Sequence, residues 1–247
     1  MSRKQFGLVG KNISYSFSKK YFTERFQKDN TLDFTYENFD IQDIADFPKI
    51  IKNNPNLIGL NVTIPYKETV IPFLNGLSET AAKIGAVNVI KITKEGELIG
   101  HNSDCYGFKK ALEPILQPHH KKALILGTGG ASKAVAFALE ELGISYTFVS
   151  RKASEKQSSY DQIDASTFEN YYIIINSTPL GTSPNTEAFP EIPYDYFTPK
   201  HIAFDLVYNP AETQFLKKAK ANGAVIKNGL EMLVNQAEKA WEIWNES

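Results

Sequence analysis

Cysteine is almost missing from this chain. Cys105 stands alone among 247 residues, so no intramolecular disulfide can form, which fits a reducing compartment. No stretch approaches 18 consecutive apolar residues, so a membrane-spanning helix is not expected. Met1-Ser-Arg-Lys-Gln5 leads into only a short apolar stretch before Lys11 and Asn12. It lacks the apolar core of a secretory signal, and the expected location is the cytoplasm. An excess of one charge is missing too. Against 27 Lys and Arg stand 28 Asp and Glu, for a net −1, and the two signs are mixed along the chain. That gives no electrostatic basis for a nucleic-acid or anionic-membrane partner. Histidine is scarce, and His119-His120, beside Pro118, have no partner ligands at metal spacing. No metal is expected, and the pair reads as a solvent loop. Neither an internal repeat nor a low-complexity tract occurs.

What is present is patterned. Phe6 to Val9 is apolar and stops at Gly10, as a buried strand does. Lys19 to Lys28 has helical spacing, with Tyr21, Phe22, Arg25 and Phe26 near one face. Asp33 to Phe39 alternates like a strand, and a helix is predicted from about Ile41 to Asn53. Leu57 to Val62 reads as a short buried strand ended by Pro65, which has no N–H for a ladder. Residues 86–92 and 97–99 suggest a hairpin around Lys94-Glu95-Gly96. From Lys122 onward strands and helices alternate: strands at 122–126, 146–149, 171–175, 202–206 and 224–226, helices at 131–142 and 212–221. This β-α-β order predicts a parallel sheet between helical layers, and so an α/β fold. Leu230, Leu233, Val234, Ala237, Trp241 and Trp244 form a stripe on a last helix, one apolar face that has to be buried. Trp241 and Trp244 read as packing residues. Cys105 reads as a small buried residue.

The glycine string Gly127-Thr-Gly129-Gly130-Ala131-Ser132 lies between a strand and a helix. A dinucleotide site needs that context: one glycine makes the tight turn, another lets backbone approach the pyrophosphate, and a small residue lets the helix pack closely. The helix N-terminus then offers free N–H groups and the positive end of its dipole to the phosphates. The next strand ends in Val149-Ser150-Arg151-Lys152, with no acid before Glu155. An NAD site places an acid there for the ribose diol, whereas an NADP site uses Arg beside the 2′-phosphate. The cations favour NADP over NAD.

Four polar points in the first half are candidates for chemistry. Ser16 and Ser18, at i and i+2, put two hydroxyls on one side of an extended segment. Asn61-Val-Thr63-Ile-Pro65-Tyr-Lys67 puts polar groups at a strand end, where ligands of α/β sheets bind. Asn88, and Asn102 with Asp104, complete the set. Asp104 reads either as a helix cap or as a carboxylate that orients the Lys67 ammonium for proton transfer.

These strings occur together with Gly85-Ala-Val-Asn88, Asn102-Ser-Asp104, Asn176-Ser-Thr-Pro-Leu-Gly181, Asp205-Leu-Val-Tyr-Asn-Pro210 and Glu231-Met-Leu-Val-Asn-Gln236. In that order and spacing the chain resembles the shikimate dehydrogenase family over nearly its whole length. The resemblance implies reduction of 3-dehydroshikimate to shikimate with NADPH, the step belonging to aromatic amino-acid biosynthesis. It implies an N-terminal catalytic α/β domain, a Rossmann-like NADP-binding domain, and a C-terminal helix returning to the first. In residue numbers, that is 1–103 plus 228–247 for substrate and catalysis, and 104–227 for the dinucleotide. The same resemblance makes Lys67 and Asp104 the catalytic pair. Ser16 and Ser18 would bind the substrate carboxylate. Thr63, Asn88, Asp104 and Gln236 would take the ring hydroxyls, with Tyr208 nearby and Asn61 in support. Gly127, Gly129, Gly130, Ala131, Ser150, Arg151, Lys152 and Thr178 would hold the cofactor, with Gly229 and Met232 bordering the nicotinamide. The chain departs from the family pattern at Tyr15, where His is common, at Lys19, Phe22 and Thr23, at Val89, and at Ser150-Arg151-Lys152. The expected partner is a small-molecule substrate, and the expected state a monomer or homodimer. The alternatives are a relaxed quinate/shikimate dehydrogenase, a folate methylene dehydrogenase, which the Ser16/Ser18 pair and Asn102-Ser-Asp104 do not suit, and an NADP-sensing protein without catalysis.

Overall fold

The computed structural model describes residues 4–246 except 15, 30, 32 and 153–156, so Tyr15 and Glu155 lie outside the described residues. Two compact units divide the chain: Met1–Ser103 with Ala237–Ser247, and Asp104–Gln236.

In the first unit, β1 (Lys4–Gly10) is flanked in parallel by β2 (Phe34–Asp40) and β3 (Leu57–Val62). Between β1 and β2 runs α1 (Phe17–Lys28), and between β2 and β3 runs α2 (Phe47–Asn53). A short β4 (Gly76–Leu77) and α3 (Glu79–Ile84) precede the antiparallel hairpin of β5 (Val89–Ile92) and β6 (Leu98–His101). The sheet order is β2-β1-β3-β5-β6-β4. The predicted helix over 41–53 is shorter, because Pro48 occupies the first turn of α2 and a 3-10 turn fills 44–46. The sequence reading passed over α3 although its caps are complete. Ser78 Oγ accepts from the Ala81 N–H at 3.2 Å, and Gly85 closes the helix in the left-handed region.

The second unit opens with α4 (Asp104–Leu112), the helix that an Asp104 cap implies, with Asp104 itself as its first residue. Then follow β7 (Lys122–Leu126), α5 (Gly130–Glu141), β8 (Ser145–Ser150), β9 (Gln157–Ser159), α6 (Ala165–Asn170), β10 (Ile173–Asn176), β11 (Ile202–Asp205), α7 (Gln214–Ala221) and β12 (Val225–Lys227). All pairings are parallel, in the order β12-β11-β10-β7-β8-β9. Counting from β7 as the first strand, this is the 3-2-1-4-5-6 order of doubly wound dinucleotide folds, with the switch point between β7 and β10. Strands buried on both faces read as continuous apolar runs, and β7, β10 and β11 are buried nearly throughout.

Helix α8 (Leu230–Asn245) begins in the second unit and ends in the first. Its buried face changes on the way. Met232 and Gln236 are buried in its first half, Ala237, Ala240, Ile243 and Trp244 in its second. Leu230, expected on the apolar stripe, is 45% exposed, and Trp241 is only half-buried. In the second unit α8 lies so close to α4 that a Cβ on Gly107 would stand 2.5 Å from the Met232 carbonyl oxygen. In the first unit the Trp244 ring sits 4.8 Å from Phe6 and 5.2 Å from Phe22, and its Nε1–H donates to the Ile90 carbonyl at 3.1 Å. The Arg25 guanidinium covers Trp241 and pairs with Glu238.

The histidines require a correction. His120 is not in a solvent loop; it is 5% exposed, and His201 is 2% exposed. The Gln117 N–H donates to His120 Nδ1 at 2.8 Å, so Nε2 carries the proton that faces the Lys200 carbonyl at 3.0 Å. His201 repeats the pattern: Thr198 N–H donates to Nδ1, and Nε2–H donates to the Phe168 carbonyl. A second proton on either ring would oppose a backbone N–H. Burial first of all holds both imidazoles below the ordinary histidine value.

Two predictions arise from this packing. Trp244→Ala removes a buried ring and its hydrogen bond, and chemical denaturation should show a loss of about 3–5 kcal/mol, whereas Trp244→Phe should lose clearly less. For the histidines, the folded values are depressed, so the unfolded chain takes up protons first. Their stabilisation is full above about pH 6.5 and is lost as pH falls through the lower folded values. The thermal midpoint should drop with acidification over that window. In His120→Asn, which keeps an acceptor without titrating, the slope should be shallower; equal slopes would contradict the assignment.

Candidate functional site

In the first unit the polar candidates lie at the carboxyl end of β3 and are wired together below the surface. Tyr36 Oη donates to Asn61 Oδ1 at 2.7 Å, and Asn61 Nδ2 donates to the Asn88 carbonyl at 3.4 Å. Asn88 Nδ2 donates to Ser103 Oγ at 3.0 Å, and the Ser103 N–H donates to Asn88 Oδ1 at 2.6 Å. Asn102 Nδ2 donates to the Ala86 carbonyl at 2.9 Å. Asn61, Asn88, Asn102 and Ser103 are all buried. Burial pushes the Tyr36 phenol well up, opposed by a hydrogen bond from Ser18. Ser18 therefore joins the same chain of bonds. Asn61 and Asn88 act here as braces that align β3, β5 and the turn before α4.

The candidates on the turn after β3 are less enclosed. Thr63 and Lys67 are half-buried. The Thr63 N–H donates to the Val9 carbonyl at 2.9 Å, and the Lys67 carbonyl accepts from the Val87 N–H at 2.7 Å. The Lys67 backbone is thus fixed beside Asn88 while its side chain extends from a turn. Ile64 between them is 71% exposed, an apolar tip next to two polar groups. Ser16 is the residue before α1, and its Oγ is shielded from solvent with no hydrogen-bond partner among the described residues. An open depression of ≈ 430 Å³ over the first turns of α1 includes Ser14, Ser16, Lys19 and Asn38 in its lining but not Thr63, Lys67 or Asn88.

In the second unit the switch point carries the glycine turn that joins β7 to α5. Gly127 closes β7 with φ +103° and donates its N–H to the Val149 carbonyl at 2.8 Å. Only glycine adopts that conformation without strain, and a Cβ there would press within 3.0 Å of Thr178 Cγ2. Gly129 caps α5 in extended conformation, Gly130 and Ala131 form its first turn, and among the described residues nothing beyond its own chain neighbours lies within 4 Å of where a Gly129 Cβ would stand. Ser132, the imperfect third position of the fingerprint, turns its hydroxyl back onto the Gly129 carbonyl at 2.6 Å and is 1% exposed. It therefore packs like a small residue. Open space above a twelve-residue helix's free N–H groups suits a pyrophosphate. At the end of β8, Ser150 Oγ bonds the Lys152 carbonyl, and Arg151 and Lys152 are exposed. Arg151 is close enough to Tyr160 to hold that phenol down against the burial that raises it.

Beside this glycine turn lies a polar knot that the sequence reading did not single out. Asp205, the last residue of β11, is 0% exposed. It accepts from Asn176 Nδ2 at 3.0 Å, from the Val207 N–H at 3.0 Å and from Thr213 Oγ1 at 2.5 Å. Burial pushes its carboxyl up to about 6, although those three bonds favour the anion. Asn176 and Asp205 stand opposite each other in register. The available signal was an Asn and an Asp each ending an otherwise apolar strand, at the first residues of two motifs.

The remaining candidates of this unit are placed as follows. Thr178 Oγ1–H donates to Asn176 Oδ1 at 2.6 Å. Gly229 donates its N–H to the Val207 carbonyl at 3.1 Å, Tyr208 is 36% exposed, and Met232 is 7% exposed. Gln236 is 7% exposed and donates to the Leu233 carbonyl at 3.0 Å. Asp104 is 6% exposed in the first turn of α4. The next residue, Cys105, is buried, and burial pushes its thiol up to about 12, so it is no nucleophile. Lys67 belongs to the first unit and Asp104 to the second. Among the described residues no group of three or more His, Cys, Asp or Glu is placed to hold a metal ion, and no helix is long and apolar enough to cross a membrane.

Comparison with known proteins agrees with this geometry. Residues 8–90 match the model of the shikimate dehydrogenase substrate binding domain. A shikimate dehydrogenase (NADP(+)) from Methanosphaera stadtmanae is 36% identical, covering 96% of this chain and 90% of the relative. One from Clostridium botulinum is 38% identical over 96% of this chain and 95% of its own length. The crystal structure of shikimate 5-dehydrogenase from Thermus thermophilus in complex with NADP(H) and shikimate matches with a TM-score of 0.85. Its identity is 31%, over 98% of this chain and 93% of that one. With that identity sustained along almost its entire length, the chain belongs to the shikimate dehydrogenase family.

Proposed function

We propose that this chain catalyses the reversible, NADPH-dependent reduction of 3-dehydroshikimate to shikimate, a step of aromatic amino-acid biosynthesis. The observation that carries the reading is identity of 36% and 38% to NADP(+) shikimate dehydrogenases over 96% of the chain, joined to a glycine cradle at the switch point of a doubly wound sheet. Residues 1–103 with 228–247 form the substrate and catalytic domain in this reading, and 104–227 the dinucleotide domain. The enzyme is cytoplasmic and acts on a small molecule as a monomer or homodimer.

NADPH supplies a hydride for the ketone carbon. Negative charge then develops on the ketone oxygen, and Lys67, as an ammonium, donates the proton that makes it a hydroxyl. Asp104 holds Lys67 and that oxygen in register. Ser16 and Ser18 bind the carboxylate through their hydroxyls; the unpartnered Oγ of Ser16 supports this role. Thr63, Asn88, Gln236 and Tyr208 position the ring, and Asn61 supports them through Asn88. Gly127, Gly129, Gly130 and Ala131 take the pyrophosphate. Thr178, Gly229 and Met232 border the cofactor further along, and Ser150, Arg151 and Lys152 take the 2′-phosphate.

Steady-state rates of 3-dehydroshikimate reduction test the chemistry. Lys67→Ala should lower kcat by about 10²–10⁴-fold with a much smaller change in substrate affinity. Asp104→Asn should also reduce kcat strongly. A Lys67→Ala enzyme with near wild-type kcat would remove Lys67 from the mechanism, and an Asp104→Asn enzyme changed only in KM would make Asp104 a binding group.

Cofactor choice is tested separately. A bond from a guanidinium to phosphate implies about a ten- to hundredfold preference for NADPH over NADH. Arg151→Ala should erase most of it by raising KM for NADPH while leaving the NADH reaction nearly unchanged. Lys152→Ala should do less, because an exposed ammonium is screened by salt. Equal kcat/KM for both cofactors in the unaltered enzyme would mean that the cations do not read the phosphate.

A further inference from the structure

The buried carboxylate of Asp205 has no part in the proton or hydride step, yet two of its bonds lead to the loops that follow β10 and β11. Its Oδ1 accepts from Asn176 Nδ2, which fixes the orientation of that amide. Asn176 Oδ1 then faces the following loop, where it accepts from the Thr178 N–H at 3.1 Å and from the Thr178 hydroxyl at 2.6 Å. With its hydrogen committed to Asn176, the Thr178 oxygen accepts from the Leu180 N–H at 3.3 Å and is held in one orientation. Thr178 lies against the glycine cradle, since a Gly127 Cβ would come within 3.0 Å of its methyl group. The other oxygen of Asp205 accepts from Thr213, whose hydroxyl in turn caps α7 through the Leu216 N–H. The bond from Val207 anchors the loop that carries Tyr208.

An acid suits this place for a physical reason. It accepts three donors while bringing no donor of its own. An asparagine would bring an N–H₂ that has to face Thr213, a contact the rotating hydroxyl tolerates. An alanine would leave an amide, a backbone N–H and a hydroxyl unpartnered in a buried site, which is costly. Burying the acid also carries a desolvation cost, seen in the raised carboxyl. Stability alone does not favour such a group.

We propose that Asp205 is a positioning residue for the cofactor: acting through Asn176, it holds the loop after β10 so that the Thr178 hydroxyl is presented to the dinucleotide. This rests on the reading of Thr178 as a cofactor contact.

The test is NADPH affinity, measured by fluorescence titration without substrate and set beside thermal midpoints. Thr178→Val and Asn176→Ala should each weaken NADPH by about tenfold or more. The double variant should be no weaker than the worse single one, because both act on one hydroxyl. Asp205→Ala should behave like Asn176→Ala, and Asp205→Asn, which keeps the acceptor facing Asn176, should restore most of the affinity. If Asp205→Ala does not fold, the cycle of Asn176 and Thr178 decides alone. Additive losses in that cycle would overturn the proposal. So would an Asn176→Ala or Asp205→Ala protein with a lowered midpoint and wild-type NADPH affinity, which is what a purely structural knot predicts. Because no substrate is present, failure of shikimate turnover would sink the functional reading and leave this readout standing. Normal turnover with unaltered NADPH binding in the variants would do the reverse.

Discussion

Burial of the central strands on both faces is the constraint from which the rest of this molecule follows. β7, β10 and β11 are covered above and below, so a polar side chain along their length would lose water without gaining a partner. Polar groups collect where the strands stop. Asn176 and Asp205 end β10 and β11, and Gly127 follows β7. In the first unit Asn61 falls one residue before the end of β3, with Thr63 and Lys67 just beyond. The carboxyl ends of these strands thus hold several of the residues proposed to bind or protonate a small molecule.

Each edge has an inner layer of braces and an outer layer of contacts. Asn61, Asn88, Ser103 and Tyr36 form the inner layer in the first unit, and Asn176, Asp205 and Thr213 in the second. The braces are buried and hydrogen-bonded, so they fix backbone and rotamers. The proposed contacts, Ser18, Thr63, Lys67, Arg151 and Tyr208, are half-buried or exposed. Catalysis needs groups held near the reacting geometry before the substrate arrives, and this layering supplies the rigidity without covering the contacts.

Much of the fold was legible where apolar residues carried it. Strands 57–62 and 122–126, the latter with its glycine turn, came from continuous apolar runs, and the final helix from apolar periodicity. Short elements without an apolar run did not: α3, α6, β4 and β9 have six residues or fewer, mostly small or polar, so neither a run nor a period stands out even where caps are complete. The start of α4 was misplaced because Asp104 was weighed as a cap and not as the first helical residue. Leu230 was misplaced because a helix shared by two units has no single buried face. Buried histidines at 120 and 201 were illegible because their partners are backbone groups brought from residues 117, 200, 198 and 168. For the site, Lys67 and the serine pair stood out only through motif order, since a lone lysine or serine carries little information. The pairing of Asn176 with Asp205 depends on the parallel register of two strands 29 residues apart, which no local pattern specifies.

The central claim is that this edge chemistry oxidises and reduces one particular hydroxy acid with one particular cofactor. The most direct measurement is the initial rate of NADP⁺ reduction by the purified chain with shikimate, with quinate and with no substrate, repeated with NAD⁺. The account predicts a rate dependent on shikimate, markedly faster with NADP⁺ than with NAD⁺ and slower with quinate. Absence of shikimate-dependent reduction with either cofactor would contradict it.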